Sequence, residues 1–121
     1  MRTRAATGRL GEKLAQDFLI QHAYQIVDTN YRSPDGEIDI VASKDGVLVF
    51  VEVRAKSSRA FGTPEESVTP RKKEKLVAVS QHYLQNHDPQ PDSWRIDFVA
   101  VEFQKGRIIR IEQIENAIGE E

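Results

Sequence analysis

The spacing of apolar residues along the chain predicts two amphipathic helices. The first is predicted over residues 7–22 with Thr7 as its N-cap, and its apolar stripe is formed by Leu10, Leu14 and Phe18. The second is predicted over residues 71–86 with Pro70 in its first turn, and its stripe is formed by Leu76, Val79 and Tyr83. Each helix therefore has one face to bury against another layer.

Apolar stretches bounded by turn residues predict five strands, at residues 24–31, 37–43, 47–54, 94–103 and 107–111. A hairpin around Lys44-Asp45-Gly46 should join the second and third strands, and residues 55–69 are predicted to be a loop. Because the second helix lies between the third and fourth strands, these two are expected to be parallel neighbours. The predicted order α-β-β-β-α-β-β indicates an α/β fold, with helices covering a mixed sheet in one domain over residues 1–121.

Composition narrows the class of protein. The chain has 121 residues, of which 39% are hydrophobic and 30% charged, as in a folded globular domain. It contains no cysteine, which excludes disulfides and thiolate metal sites. No apolar stretch is long enough to span a bilayer, and the basic N-terminal segment lacks the apolar core of a secretory signal. These features predict a cytoplasmic protein without a membrane partner.

Charged residues interrupt the second and third predicted strands. Alternation places Glu37, Asp39 and Val41 on one face of the second strand, and the other face is formed by Ile38, Ile40 and Ala42. With a two-residue hairpin loop, Asp39 lies opposite Glu52, and directly opposed Cβ atoms are about 4.5–5.5 Å apart.

Two carboxylates at that separation repel each other unless a cation such as Mg²⁺ lies between them. Arg54 is one pleat beyond Glu52 and could face the same phosphate. The alternative is a solvent-exposed face on which Asp39 and Glu52 are ordinary residues and Arg54 is an ion-pair partner. Apolar neighbours on the acidic face favour the lining of a cleft.

The formal net charge is −2, yet basic residues concentrate between residues 54 and 75. We interpret four of them as candidates for contact with nucleic-acid phosphates, namely Lys56, Arg71, Lys72 and Lys75. The alternative is a solvated start of the second helix. Because the N-terminus of a helix disfavours cations, the basic cluster there favours a functional reason.

Asp39 followed by Glu52-Val53-Arg54 resembles the PD-(D/E)xK motif of nucleases with the restriction-endonuclease-like fold. A wider set of stretches, covering residues 8 to about 103, resembles the YraN-like family of uncharacterised bacterial proteins. These stretches are Gly8-x-x-Gly11-Glu12, Asn30-Tyr31-Arg32, Gly36-Glu37-Ile38-Asp39, Phe50-Val51-Glu52-Val53-Arg54, Phe61-Gly62 and Arg95-Ile96-Asp97.

The resemblance implies a metal-dependent nuclease similar to Holliday-junction resolvases, cutting DNA rather than RNA and preferring branched or flapped DNA. It implies that Asp39 and Glu52 hold Mg²⁺ or Mn²⁺ and that Glu12 and Arg54 complete the catalytic set. Glu37, which shares a strand face with Asp39, either supports the metal ligands or is simply exposed. Arg54 occupies the usual lysine position. An arginine cannot act as a general base, although it can stabilise charge on a phosphate.

Two other functions stay open at this point. The same fold could bind nucleic acid without cutting it. It could also be an interaction protein in which the strand acids form ion pairs between subunits. The oligomeric state is open too, a homodimer included.

Overall fold

The structure is a computed structural model that describes residues 4–118, with side chains from residue 6 onward. Its two helices are Arg4–Gln21 (α1) and Pro70–Gln85 (α2). Its five strands are Gln25–Ser33 (β1), Gly36–Lys44 (β2), Val47–Lys56 (β3), Ser93–Gln104 (β4) and Arg107–Ile114 (β5). The element order is the predicted one, α-β-β-β-α-β-β, with one 3₁₀ turn added before α2.

The five strands form one mixed sheet in the order β1-β2-β3-β4-β5. Neighbouring strands are antiparallel except β3 and β4, which are parallel and are connected through α2. The β2–β3 hairpin closes with Lys44 opposite Val47, and its two loop residues, Asp45 and Gly46, have φ of +53° and +81°. Positive φ at both positions is the two-residue hairpin geometry that fits the sheet twist, so the predicted register is confirmed.

Each helix covers one face of the sheet. The core on the α1 side includes Ala15, Leu19, Ile40, Val49 and Val51. The core on the α2 side includes Val41, Phe50, Leu76, Val79 and Phe98. The central strands are apolar on both faces because both faces are covered, as is usual for strands in α/β sheets. Within residues 4–118, neither helix is long and apolar enough to cross a membrane.

The ends of the helices differ from the sequence prediction. Helix α1 already includes Arg4, so Thr7 lies inside the helix and its prediction as the N-cap was wrong. The stretch Arg4-Ala5-Ala6 has high helix propensity, which explains the earlier start. Helix α2 is capped by Thr69, whose hydroxyl accepts a hydrogen bond from the backbone N–H of Lys72 at 3.2 Å.

The predicted loop over residues 55–69 is shorter and more ordered than expected. Strand β3 continues to Lys56, and Glu65–Ser67 forms a 3₁₀ turn. The longer strand follows from the parallel pairing of β3 with β4, which extends to Lys56 opposite Glu102. Local sequence could not show this, because the partner strand lies about 40 residues further along the chain.

The expected alternation along β2 is also wrong at one position. Ile40 packs on the α1 side, as alternation from Ala42 requires, but Ile38 packs on the α2 side. The change occurs at Asp39. Between the pairs Thr29–Ile40 and Tyr31–Ile38 of the β1–β2 ladder lies Asn30, whose φ is +53°. The change of face in β2 therefore lies beside a left-handed residue of the adjacent strand.

Candidate functional site

Asp39 and Glu52 meet where β2 separates from β3. The paired residues of the hairpin end at Ile40 opposite Val51, one position before Asp39 and Glu52 would pair. At this position a side chain, and not the backbone of β2, bonds to β3: Asp39 Oδ2 accepts a hydrogen bond from the backbone N–H of Val53 at 2.8 Å. The Asp39 carboxyl lies close enough to the Glu52 carboxyl to raise its pKa, both as a like charge and as a hydrogen-bonding neighbour. The structure thus brings the two predicted carboxylates together.

Glu52 is an almost fully buried carboxyl group, 3% exposed. Burial, followed by the charge of Asp39 and the hydrogen bond with Asp39, raises the pKa of Glu52 to about 8, against the lowering effects of Lys72 and Arg54. With its pKa raised to about 8, the Glu52 carboxyl holds its proton near neutral pH. A charged group would not be buried here without compensation.

Two cations flank Glu52 from different elements. Arg54 Nη1 lies 3.4 Å and Lys72 Nζ 3.8 Å from Glu52 Oε2. Both side chains keep about a third of their surface exposed, 34% and 36% respectively, so each could also reach a ligand. Because Lys72 comes from the first turn of α2, the start of this helix faces the carboxylates.

Ser67, which sequence reasoning missed, holds the guanidinium of Arg54. Its Oγ accepts a hydrogen bond from Arg54 Nε at 3.0 Å, and its carbonyl oxygen accepts one from Nη2 at 3.5 Å. Ser67 Oγ in turn donates to the carbonyl of Pro64. No local pattern singles out this residue, because it lies in a segment predicted to be an irregular loop.

Helix α1 places Glu12 beside the pair through a close crossing. A Cβ on Gly11 would lie 2.7 Å from the Cβ of Ala55, so only glycine allows α1 to approach β3 this closely. Glu12 Oε1 accepts a hydrogen bond from Asn30 Nδ2 at 3.4 Å. Burial, then the charges of Asp39 and Glu37, raises the pKa of Glu12.

The other predicted residues lie further from the carboxylates. The charge of Glu37 helps to raise the pKa of Glu12, and Glu37 forms an ion pair with Arg32 at 3.5 Å. Arg71 and Lys75 are exposed on α2, and Lys75 lies near Gly36 at the start of β2. Four basic residues were predicted to contact phosphate. Among the described residues, Lys72 is the one of these four that forms an ion pair with Glu52.

An open cleft of about 510 Å³ adjoins Arg54. Its walls come from the end of β3, the start of α1 and the segment after β3, and include Arg54, Lys56, Ser57, Thr7, Gly8 and Phe61. The cleft places Lys56 beside Arg54. The predicted basic cluster is thus divided between this cleft and the first turns of α2.

A second charge network, centred on the buried Glu102, anchors the segment between β3 and α2 that carries Ser67. Glu102 accepts two hydrogen bonds from Arg59, at 2.6 and 2.8 Å, and one from Arg110 at 2.9 Å. Arg110 also donates to Glu65 at 2.9 and 2.6 Å. Arg59 and Glu65 both lie between β3 and α2, so the network ties this segment to β4 and β5 at two points.

Within residues 4–118, no group of three or more histidine, aspartate or glutamate side chains is arranged to hold a metal ion. The site supplies a pair of carboxylates instead. Mg²⁺ is commonly bound by one or two carboxylates with water and substrate phosphate completing its coordination. The donor chemistry of Asp39 and Glu52 therefore fits such an ion, with most ligands left to water or substrate.

The fold and site together define a small α/β protein with paired carboxylates at a point where two strands separate. Sequence comparison gives its family: the uncharacterised protein family UPF0102 matches residues 11–101, and the chain belongs to this family. This confirms the family expected from the sequence motifs.

Relatives match over nearly their whole length. A UPF0102 protein of Dehalococcoides mccartyi is 48% identical over 118 residues, covering 98% of this chain and 97% of the relative. One from Alkaliphilus oremlandii is 42% identical, covering 91% and 95%, and one from Moorella thermoacetica is 42% identical, covering 95% and 97%. These names identify a family and state no activity.

Proposed function

We propose that this protein is a phosphodiesterase that depends on a divalent metal ion and cuts DNA, with branched or flapped DNA as the preferred substrate. The observation that carries the proposal is the contact between Asp39 and Glu52, in which burial and the neighbouring carboxylate raise the pKa of Glu52 to about 8. Two carboxyl groups that share a proton form a site where a divalent cation can replace that proton.

Asp39 and Glu52 are the residues that would hold Mg²⁺ or Mn²⁺. When bound, the ion would lower the pKa of a water molecule and offset charge on the phosphate. Asp39 is kept in position by the backbone N–H of Val53. The pKa of Glu12 is raised, in part by the charge of Asp39. Glu12 is therefore suited to accept a proton from water.

Arg54 is proposed to bind the phosphate that is cut. Its guanidinium is held by Ser67 on one side and by Glu52 on the other, at 3.0 and 3.4 Å. A guanidinium in a fixed orientation can stabilise charge that develops on a phosphate oxygen. The resemblance of Asp39 and Glu52-Val53-Arg54 to the PD-(D/E)xK motif, with arginine in the lysine position, supports this proposal.

Lys56, Arg71, Lys72 and Lys75 are proposed to contact the DNA backbone. Lys56 lines the cleft beside Arg54, and the other three lie on the first turns of α2. Contacts of this kind neutralise phosphates and release counterions, and they carry no sequence information. Binding should therefore weaken steeply with salt, whatever the sequence of the DNA.

The test is cleavage of labelled linear, flapped and four-way-junction DNA, and of RNA, in Mg²⁺, Mn²⁺ or EDTA. Asp39→Asn and Glu52→Gln should abolish cleavage while leaving the fold intact by circular dichroism. Asp45→Asn is the matched control, because it removes a carboxylate from the same hairpin at a turn position that asparagine tolerates. Cleavage that persists in EDTA, or in both site variants, would overturn the proposal.

A binding module that does not cut DNA is the second candidate. Arg54 favours it, because arginine cannot supply the base that lysine can. Its signature in the same experiment is DNA binding that falls with salt and with loss of Lys72, without cleavage in either metal. The interaction-protein alternative has less support, since Glu52 is buried and pairs with Arg54 and Lys72 of its own chain.

A further inference from the structure

Phe61 is an exposed aromatic side chain that the proposed catalytic site does not use. It is 92% exposed, more than any other large apolar residue among those described. Exposure of a whole phenyl ring to water is unfavourable, at about 25 cal/mol per Å² of apolar surface. An aromatic residue left in this position calls for a partner.

The segment around Phe61 is held in place on both sides. Two residues before it, Arg59 binds Glu102 through two hydrogen bonds of 2.6 and 2.8 Å. Two residues after it, the backbone N–H and the hydroxyl of Thr63 donate to Glu66 Oε1 at 2.8 and 2.7 Å. Gly62 between them has φ of +93°, a conformation that other residues rarely adopt. The ring is thus presented from an anchored turn.

The surroundings of Phe61 are basic and polar. It lines the cleft of about 510 Å³ together with Arg54 and Lys56, and Ser57 and Ser58 lie between these bases and the turn. Two groups therefore face the same open space: a cation that could bind phosphate, and an aromatic ring. This combination fits a single nucleic-acid strand, whose backbone follows the basic groove while its bases stack on aromatic side chains. In a duplex the bases are already stacked and do not present a free face.

We propose that Phe61 stacks on an unpaired nucleobase of the substrate, so that the DNA bound by this protein carries a single-stranded segment next to the phosphate held by Arg54. The inference rests on the proposed function, because it takes DNA as the ligand. It deepens that proposal by assigning the cleft to a single strand. Phe61 contacts substrate away from the reacting atoms, so its role is in binding and specificity.

The test is the affinity for labelled oligonucleotides measured by fluorescence anisotropy in EDTA, where no cleavage is required. The probes are oligothymidylate, a strand of the same length made of abasic units, and a blunt duplex. Phe61→Ala should weaken binding of oligothymidylate roughly 5- to 100-fold, whereas Phe61→Trp should retain it. Ile109→Ala is the matched control, since Ile109 is 57% exposed on β5, outside the residues that line the cleft.

The abasic strand separates stacking from other effects. It keeps the phosphates and lacks the bases, so wild type and Phe61→Ala should bind it equally. An unchanged affinity of Phe61→Ala for oligothymidylate would overturn the inference, and so would an equal loss of affinity for the abasic strand. A self-association that disappears in Phe61→Ala while DNA affinity stays constant would assign the ring to a second copy of the chain and overturn it as well.

The outcome is distinguishable from failure of the proposed function. If cleavage depends on metal and on Asp39 but strand binding is unaffected by Phe61→Ala, only this inference is ruled out. If binding depends on the bases and on Phe61 but no cleavage occurs, the enzyme proposal is ruled out and the assignment of the cleft to a single strand is kept.

Discussion

Asp39 and Glu52 lie one position beyond the last pair of the β2–β3 ladder, where the neighbouring Asp39 carboxyl helps to raise the pKa of Glu52. Where the backbone pairing stops, the Asp39 side chain accepts a hydrogen bond from the backbone N–H of Val53. The opening in the sheet and the acidic pair therefore occur at the same place.

Glu52 should make the stability of the metal-free protein fall as pH rises. Its pKa is about 8 in the folded protein against 4.5 for an unperturbed glutamate, so between these values the folded state binds the extra proton. The free energy of unfolding therefore decreases with pH across this range, by an amount on the order of a few kcal/mol.

Urea unfolding in EDTA at a series of pH values measures this slope. Glu52→Gln carries no titrating group at this position and should flatten the curve, so that its stability relative to wild type increases from about pH 4.5 and levels off above about pH 8. Parallel curves for the two proteins would show that Glu52 ionises normally in the fold.

Gly11→Ala should destabilise the protein by about 1–3 kcal/mol, because overpacking forces neighbouring groups apart. The new Cβ would lie 2.7 Å from the Cβ of Ala55. Gly8→Ala, three residues earlier in the same helix, meets nothing within 4 Å and should instead stabilise by about 0.5–1 kcal/mol. Thermal or chemical unfolding compares the pair. Equal effects at both positions would contradict the close crossing of α1 and β3.

Glu102→Gln should destabilise the protein by about 1–3 kcal/mol, because Arg59 and Arg110 lose a charged partner. Hydrogen bonds from Arg59 and Arg110 lower the pKa of Glu102 to about 2. This contribution is present above about pH 4.5, the ordinary value, and is lost as pH falls toward 2.

The difference in unfolding free energy between wild type and Glu102→Gln should therefore shrink in acid. A difference that stays constant down to the lowest accessible pH would contradict the lowered pKa of Glu102. Glu112→Gln is a suitable control, since Glu112 also binds Arg110 but has a side chain that is 57% exposed.

Arg54→Ala should lower kcat for DNA cleavage by roughly 10²–10³-fold, the effect usual for loss of one group that stabilises transition-state charge. Arg54→Lys keeps the charge but has a single donor group where the guanidinium contacts both Ser67 and Glu52. It should retain DNA affinity and show an intermediate rate. Single-turnover cleavage measures both variants, and a rate unchanged in Arg54→Ala would remove Arg54 from the catalytic set.

Much of the fold was predictable because its signals are local. The Asp45-Gly46 turn determines the hairpin register, and that register alone is enough to predict Asp39 near Glu52. The parallel neighbours β3 and β4 followed from the helix between them. Local patterns were enough wherever neighbours in sequence are neighbours in space.

The parts that sequence did not reveal depend on contacts between distant residues. The change of alternation at Asp39 lies beside the left-handed Asn30 of the adjacent strand, and the pattern within β2 does not show it. Ser67 and the Arg59–Glu102–Arg110 network join segments separated by up to 45 residues. No local periodicity reports such contacts. The raised pKa of Glu52 likewise depends on burial, and the sequence of a strand does not show how deeply one of its charged residues is buried.

The most direct test of the central claim is isothermal titration of the metal-free protein with Mn²⁺ near pH 7, repeated in buffers of different ionisation enthalpy. Because the Asp39–Glu52 pair holds a proton at that pH, binding of one ion should release close to one proton. Asp39→Asn should bind at least tenfold more weakly, and Asp45→Asn should match wild type. Absence of Mn²⁺ binding, or binding that is unaffected by Asp39→Asn and releases no proton, would contradict the account.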